Sequence, residues 1–270
     1  MCKADNLNTH GGQNRRTVIF TGLSFALLLL IWELMARFSG WSIHLFPGPL
    51  TVFKSMGELI ANGTLLRHTV ASLFRITIGF YLAILLGLPL GVLLGRNKTV
   101  NALLNPIIQF LRPISPIAWI PLAMLWFGIG DQPAIFLIFL SSFFPLVVAT
   151  TIAVSSINPV FFQVATNFNF TRIETITKII IPAITPGTIT TLRISLTIAW
   201  LVVVAAEMIA VRSGLGYLIL DSRNGLRMDY VMVGMIVIGI VGLLLDLIVR
   251  QMGRIESTGW YQLENNLENR

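Results

Sequence analysis

Apolar runs long enough to cross a bilayer recur along this 270-residue chain, and that recurrence leaves few folds open. A spanning helix needs roughly 20 mostly apolar residues. Six stretches meet that length, at about 17–38, 70–94, 102–127, 133–154, 187–209 and 231–249. Hydrocarbon offers no water to backbone N–H and C=O groups, so each run must satisfy them internally as a helix. The expected fold class is therefore all-α, a polytopic membrane protein of about six transmembrane helices. Composition agrees: 55% of residues are hydrophobic and 11% charged, against about 25% charged in soluble domains.

The formal charge of +7 would suggest nucleic acid in a soluble protein. Here it fits the excess of Lys and Arg in cytoplasmic loops of membrane proteins, and no basic stripe with interleaved aromatics points to nucleic acid. Arg15, Arg16, Arg96, Lys98, Arg172, Lys178, Arg250 and Arg254 fall on one side of a six-span arrangement with both termini cytoplasmic. Arg37, Lys54, Arg67, Arg212, Arg223 and Arg227 fall on the other. The first set lies in short loops tight against the spans, where the charge rule is strongest. The division expected is a polar N-terminal tail at 1–16, a permease region at 17–250 and a cytoplasmic C-terminal tail at 251–270. The single cysteine, Cys2, can form no internal disulfide, and no preceding apolar stretch marks it as a lipid anchor.

The spans carry their own punctuation. Gly79, Gly87, Gly91 and Gly95 recur at four- and eight-residue spacing, which lets helices approach closely in lipid. Pro106, Pro113, Pro116 and Pro121 break the third span around Arg112, and carbonyls freed by such breaks are tolerated only against protein or a watery cavity. Ahead of the second span, Leu50, Phe53, Met56 and Ile60 give the apolar face of a surface helix after the Pro47-Gly48-Pro49 turn.

One stretch, 158–182, mixes polar and apolar residues between these blocks. Asn158 is a good N-cap and Pro159 suits the first helical position. Phe161, Ala165 and Phe168 follow at i, i+4 and i+7. Asn167 and Asn169 suit a C-terminal turn, because Asn tolerates left-handed backbone. Thr171-Arg172-Ile173-Glu174 reads as a capping box opening a second short helix, which Pro182 is expected to stop. Two short amphipathic helices at a kink on the cytoplasmic side result, although an ordinary connecting loop would share most of these features.

No catalytic constellation is present. His10, His44 and His68 are scattered, with no Cys or carboxylate at metal-ligand spacing, and there is no Walker A loop or serine-nucleophile motif. Energy for transport would have to come from a gradient or another subunit. Ionisable residues at membrane depth are the informative ones, since a charge at the bilayer centre costs at least about 2.5–3.5 kcal/mol. Arg112 is the candidate to face an anion, its planar fork matching oxyanions, and a structural role against freed carbonyls is the alternative. Ser115, Trp119 and Glu207 complete the candidate pathway, with Glu207 also suited to pairing with an arginine. Arg193 is placed to snorkel, and Trp126 and Trp200 suit packing as well as a pathway.

The 158–182 stretch resembles the cytoplasmic signature of permease subunits of binding-protein-dependent ABC importers, E-A-A-x3-G-x9-I-x-L-P. Gln163-Val164-Ala165, Asn169 and Ile179-Ile180-Ile181-Pro182 keep its spacing, with departures at Gln163, Val164, Asn169 and Ile181. The stretches 111–131 and 199–210, and the earlier 46–80, are similar to the nitrate/sulfonate/taurine subgroup. The resemblance implies a type I importer permease working as a homodimer or pseudo-dimer in the inner membrane. Its partners would be a pair of cytoplasmic ATPase subunits and an outer solute-binding protein. ATP and Mg would be bound by the ATPase, with no cofactor in this chain. Gln163, Ala165, Asn169, Ile179 and Pro182 would belong to the ATPase-coupling segment. The solute implied is nitrate, bicarbonate, taurine or an alkanesulfonate. Vitamin-precursor import is the alternative, and an ion-coupled secondary transporter the rival class, which would show midplane coupling sites and internal repeats.

Overall fold

The computed structural model describes residues 9–38, 40 and 45–256, the side chains of 9–19, 21 and 252–256 excepted. Cys2, His44 and the tail beyond 256 therefore lie outside the described residues, as does the side chain of His10. Every regular element is helical among them: α1 (Thr9–Phe38), α2 (Pro49–Ala61), α3 (Thr64–Arg96), α4 (Lys98–Leu111), a 3-10 turn (Pro116–Trp119), α5 (Ile120–Phe127), α6 (Asp131–Ser155), α7 (Pro159–Asn167), α8 (Arg172–Thr175), a π turn (Ile176–Ile180), α9 (Ile181–Ala210), α10 (Leu215–Asn224) and α11 (Met228–Glu256). Four helices are long and apolar enough to cross a membrane. A fifth crossing exists if α4 and the 116–127 arm count as one span bent by 88°. The predicted first span falls within α1, part of whose side chains are not described, so the described residues supply four spans of the six expected, or five with the bent pair.

Helix α6 is the hub, flanked by α3 on one side and α9 on the other. The glycine spacing explains the first contact. A Cβ on Gly91 would lie 2.6 Å from Thr150 Cβ, and one on Gly95 2.6 Å from Val154 Cβ. At Gly79 it would meet the Ile135 carbonyl oxygen at 2.8 Å. Backbones thus touch over five turns of α3, and the close approach lets Thr151 Oγ1 donate to Gly91 O at 3.3 Å. Helix α1 stands apart: Trp32 Nε1 donates to Pro47 O at 3.2 Å, while Leu23, Leu27, Leu28 and Leu30 face outward.

Helix α2 has two apolar sides. Its packed face is Val52, Ser55 and Leu59, while Leu50, Phe53 and Ile60 point away from the protein. In water the greasier stripe would turn inward; beside lipid both sides can be apolar, so the smaller side chains take the protein contact.

A buried polar knot ties the end of the fold where α3, α6, α9 and α10 meet. Arg75 on α3 is 1% exposed and Glu207 on α9 is 0% exposed. Arg75 Nη1 donates to Glu207 Oε1 at 2.6 Å and to Ser213 O at 2.9 Å. Its Nε donates to Asp131 Oδ1 at 2.8 Å, and its Nη2 also reaches Ser213 Oγ. The second oxygen of Glu207 accepts from Ser72 Oγ at 2.8 Å and Gly216 N at 3.0 Å. Leu215 N donates to Ser72 Oγ, and Gly214 N to His68 Nδ1. Gly214, at φ +105°, leaves room for the carboxylate that a Cβ would strike.

Removing one charge of a buried pair strands the other and typically costs about 3–5 kcal/mol, whereas replacing both is far milder. Arg75→Ala should lower the thermal unfolding temperature in detergent sharply, and Arg75→Met/Glu207→Gln should recover much of the loss. Equal melting of wild type and Arg75→Ala would show that the knot does not hold this end together.

Candidate functional site

The segment joining α6 to α9 assembles as its local signals require. Asn158 Oδ1 accepts from Val160 N at 3.0 Å, and Pro159 opens α7. The helix closes in a left-handed turn at Asn169, φ +53°. Phe170 N donates to Ala165 O at 2.8 Å and Asn169 N to Thr166 O at 3.0 Å, the paired bonds that satisfy the last carbonyls of a helix ending this way. Asn169 makes the turn that glycine makes most easily, its short amide side chain tolerating positive φ. Next comes the capping box: Thr171 Oγ1 accepts from Glu174 N at 3.2 Å, and Glu174 Oε2 accepts from Thr171 N at 2.9 Å. Lys178 closes on Glu174 at 2.9 Å.

Pro182 does not end the second helix. From Arg172 to Ala210 the chain is one helical run, with a π turn over Ile176–Ile180 directly before the proline. Proline lacks an N–H and crowds the carbonyl four residues back. A turn bonded i→i+5 shifts the hydrogen-bond register at that point, so Pro182 enters in the first turn of α9.

The apolar face predicted for α7 is divided. Ala165 is 4% exposed and turned inward beside Phe162 and Phe170, where the Arg96 guanidinium lies 4.1 Å over the Phe162 ring. Val160, Phe161, Val164 and Phe168 face outward. With Phe168 at 72% and Ile173 at 74% exposure, they form an apolar ridge on the end of the molecule opposite the Arg75 knot. Gln163 is exposed on the same short helix, while Ile179 and Pro182 are half-buried. Of the signature residues, Gln163 and Asn169 are at the surface and Ala165 is enclosed.

The pathway candidates separate into two places. Arg112 caps α4, Ser115 precedes the 3-10 turn and Trp119 ends it, so all three gather at the 88° elbow. Arg112 and Ser115 are exposed there, and Trp119 packs edge-on to Phe136 at 6.5 Å. No ion pair to Arg112 is seen among the described residues. Glu207 is elsewhere: both oxygens are engaged in the buried knot, and it lines none of the cavities. Its geometry is that of a structural carboxylate paired with arginine. Arg193 does not snorkel alone, since Nε and Nη2 grip both oxygens of Asp246 at 2.5 and 2.7 Å. Trp200 is buried and donates to Ile238 O at 3.0 Å, a packing role. Arg75 and Asp131 went unassigned by sequence; an arginine inside one apolar run and a glutamate inside another was the available signal.

Residues 83–255 match the family described as binding-protein-dependent transport system inner membrane component. The chain belongs to that family, the permease subunits of ABC importers. It is 34% identical over 243 residues to the taurine transport system permease protein TauC of Escherichia coli, covering 88% of each chain. It is 33% identical over 238 residues to the nitrate import permease protein NrtB of Synechocystis, covering 85% of this permease and 86% of that one. Its fold superposes on a chain of the MetNI methionine ABC transporter, solved in inward-facing conformations, with a TM-score of 0.62 at 19% identity. That match covers 72% of this permease and 96% of the MetNI chain. The permease is thus a multi-pass inner-membrane protein with a type I importer fold, and the stretches similar to the nitrate/sulfonate/taurine subgroup are matched by relatives of those names.

The left-handed turn makes a local test. Asn169→Gly should hold the segment at wild-type stability. Asn169→Val should cost about 1–2 kcal/mol, the usual penalty for an L-residue forced left-handed. Limited proteolysis across 165–172 reads the difference, and equal cleavage of the two variants would count against the turn.

Proposed function

We propose that this permease imports a small oxyanion or sulfonate delivered by an outer solute-binding protein, driven by cytoplasmic ATPase subunits. The observation carrying the proposal is the exposed ridge Val160-Phe161-Val164-Phe168, mounted on a helix capped at both ends. Exposed side chains of this size on a rigid, water-facing element favour a protein partner. Both termini and the 158–182 segment then lie on the cytoplasmic side, as the loop charges favour, and the Arg75 knot lies at the outer face. ATP and Mg belong to the ATPase; this chain supplies the path and the lever. The lever is stiff because α8, the π turn and α9 run on without a break. Movement of the docked ridge would therefore pass directly into α9.

The names of the relatives, taurine and nitrate permeases, support an anionic solute. Arg112 supports the same reading physically. An exposed guanidinium in the middle of a bent span must meet water or a partner, because leaving it in lipid costs at least about 2.5–3.5 kcal/mol. A second permease copy placed across the elbow would enclose a watery path with Arg112, Ser115 and Trp119 on its wall.

Phe161→Glu/Phe168→Glu should leave the permease folded but reduce co-purification of the ATPase at least tenfold. An undiminished complex would refute docking through this ridge. Ala165→Glu differs in kind: it buries a charge against Phe162 and should destabilise the permease itself. For the elbow, Arg112→Ala should cut anion uptake at least tenfold with the complex intact, while Arg112→Lys retains part of it. Unchanged uptake of nitrate, bicarbonate, taurine and alkanesulfonates by assembled Arg112→Ala would remove Arg112 from the path.

A further inference from the structure

A groove of about 1280 Å³ lies between α3 and the α8–α9 run. Leu88, Val92, Ile180, Ile184 and Ile189 form its walls, and Leu192 lies at its deep end. Arg96, Lys98 and Arg172 stand together at its mouth. All three cations are exposed. No carboxylate pairs with any of them among the described residues; the nearest acid in sequence, Glu174, is held by Lys178 and Thr171. Arg96 makes only a cation–π contact with Phe162. Within the groove, the buried Thr188 Oγ1 has no hydrogen-bond partner.

We infer that this groove binds an anionic phospholipid of the cytoplasmic leaflet, with its phosphate on Arg96, Lys98 and Arg172 and an acyl chain along α9. Length supports this occupant. From Ile180 to Leu192 a helix rises about 18 Å, close to the depth of one leaflet, about half of the roughly 30 Å hydrocarbon core. Polarity supports it too: charge sits only at the mouth, and the deeper lining is mostly hydrocarbon with the hydroxyls of Thr185 and Thr188 among it, the pattern of a lipid and not of a small solute anion. Basic clefts between helices at the cytoplasmic surface suit anionic headgroups. The inference rests on the proposed topology only in naming the leaflet. Because α8 and α9 form one wall and α8 joins the ridge segment, a bound lipid would brace the lever against α3.

The test is native mass spectrometry of the full-length permease, titrated with phosphatidylglycerol and phosphatidylcholine of matched chains. The wild type should retain phosphatidylglycerol at least tenfold more tightly. Arg96→Gln/Lys98→Gln/Arg172→Gln should abolish the preference, and Ile189→Trp, which fills the groove without altering charge, should weaken binding of both lipids. Millimolar glycerol phosphate should not displace the lipid, since a headgroup alone leaves the groove empty. Equal retention of the two lipids by the wild type would overturn the inference, as would a preference surviving in the triple variant. Displacement by glycerol phosphate would instead make this a free-anion site and also overturn it. Labelling of Asn169→Cys from one side of sealed vesicles tests the topology separately, so a misplaced leaflet and an absent lipid site give different results.

Discussion

Satisfying Arg75 is the constraint on which one end of this permease depends. A buried guanidinium brings several N–H donors that water cannot reach, and three separate parts of the chain answer them: Asp131 at the start of α6, Glu207 on α9 and the Ser213 turn. The groups are 56, 132 and 138 residues from Arg75 in sequence. They meet only if α3, α6 and α9 are already in register. The glycine contacts of α3 against α6 provide that register, since sliding by one residue would drive a side chain into Thr150 or Val154. Packing and charge therefore specify one arrangement together. Neither is enough alone, because lipid competes with protein for apolar surface and offers no hydrophobic drive between helices.

The knot also explains why the opposite end can be loose. With α3, α6, α9 and α10 fixed at the knot, the 1280 Å³ groove between α3 and the α8–α9 run lies toward the other end. The π turn lies on that half. A helix that continues through a proline by changing its hydrogen-bond register is stiff along its axis yet locally adjustable. That combination suits the lever proposed for the α7–α9 segment.

Legibility in the sequence followed the range of the interaction. Caps are local, so Asn158, the Thr171–Glu174 box and the Asn169 turn were readable from a few neighbours each and appear as read. Spans were readable because twenty apolar residues carry their own argument. Which way a stripe faces was less legible: Leu50-Phe53-Ile60 on α2, and Phe161 and Phe168 on α7, have the expected helical periodicity and point outward. Periodicity finds a stripe, but it names the buried side only when the other side is water. The role of Arg75 was not legible because its partners are 56 to 138 residues away in sequence. Pro182 was misread because proline's local rule holds for an α-helical register, and the π turn changes that register.

The two arginines placed inside spans show how burial separates structure from function. Arg75 is enclosed and paired, so its charge is spent holding helices together. Arg112 sits at an elbow where the freed backbone of α4 turns away, exposed and without an ion-pair partner among the described residues. The same side chain thus has opposite consequences in the two places. A fully answered charge resists motion, since moving it strands its partners. An unanswered one needs water or a ligand, and it can exchange one for the other without breaking the fold. In a permease that must change shape while passing an anion, an answered charge suits an end that stays fixed, and an unanswered one suits the wall of the path proposed for it.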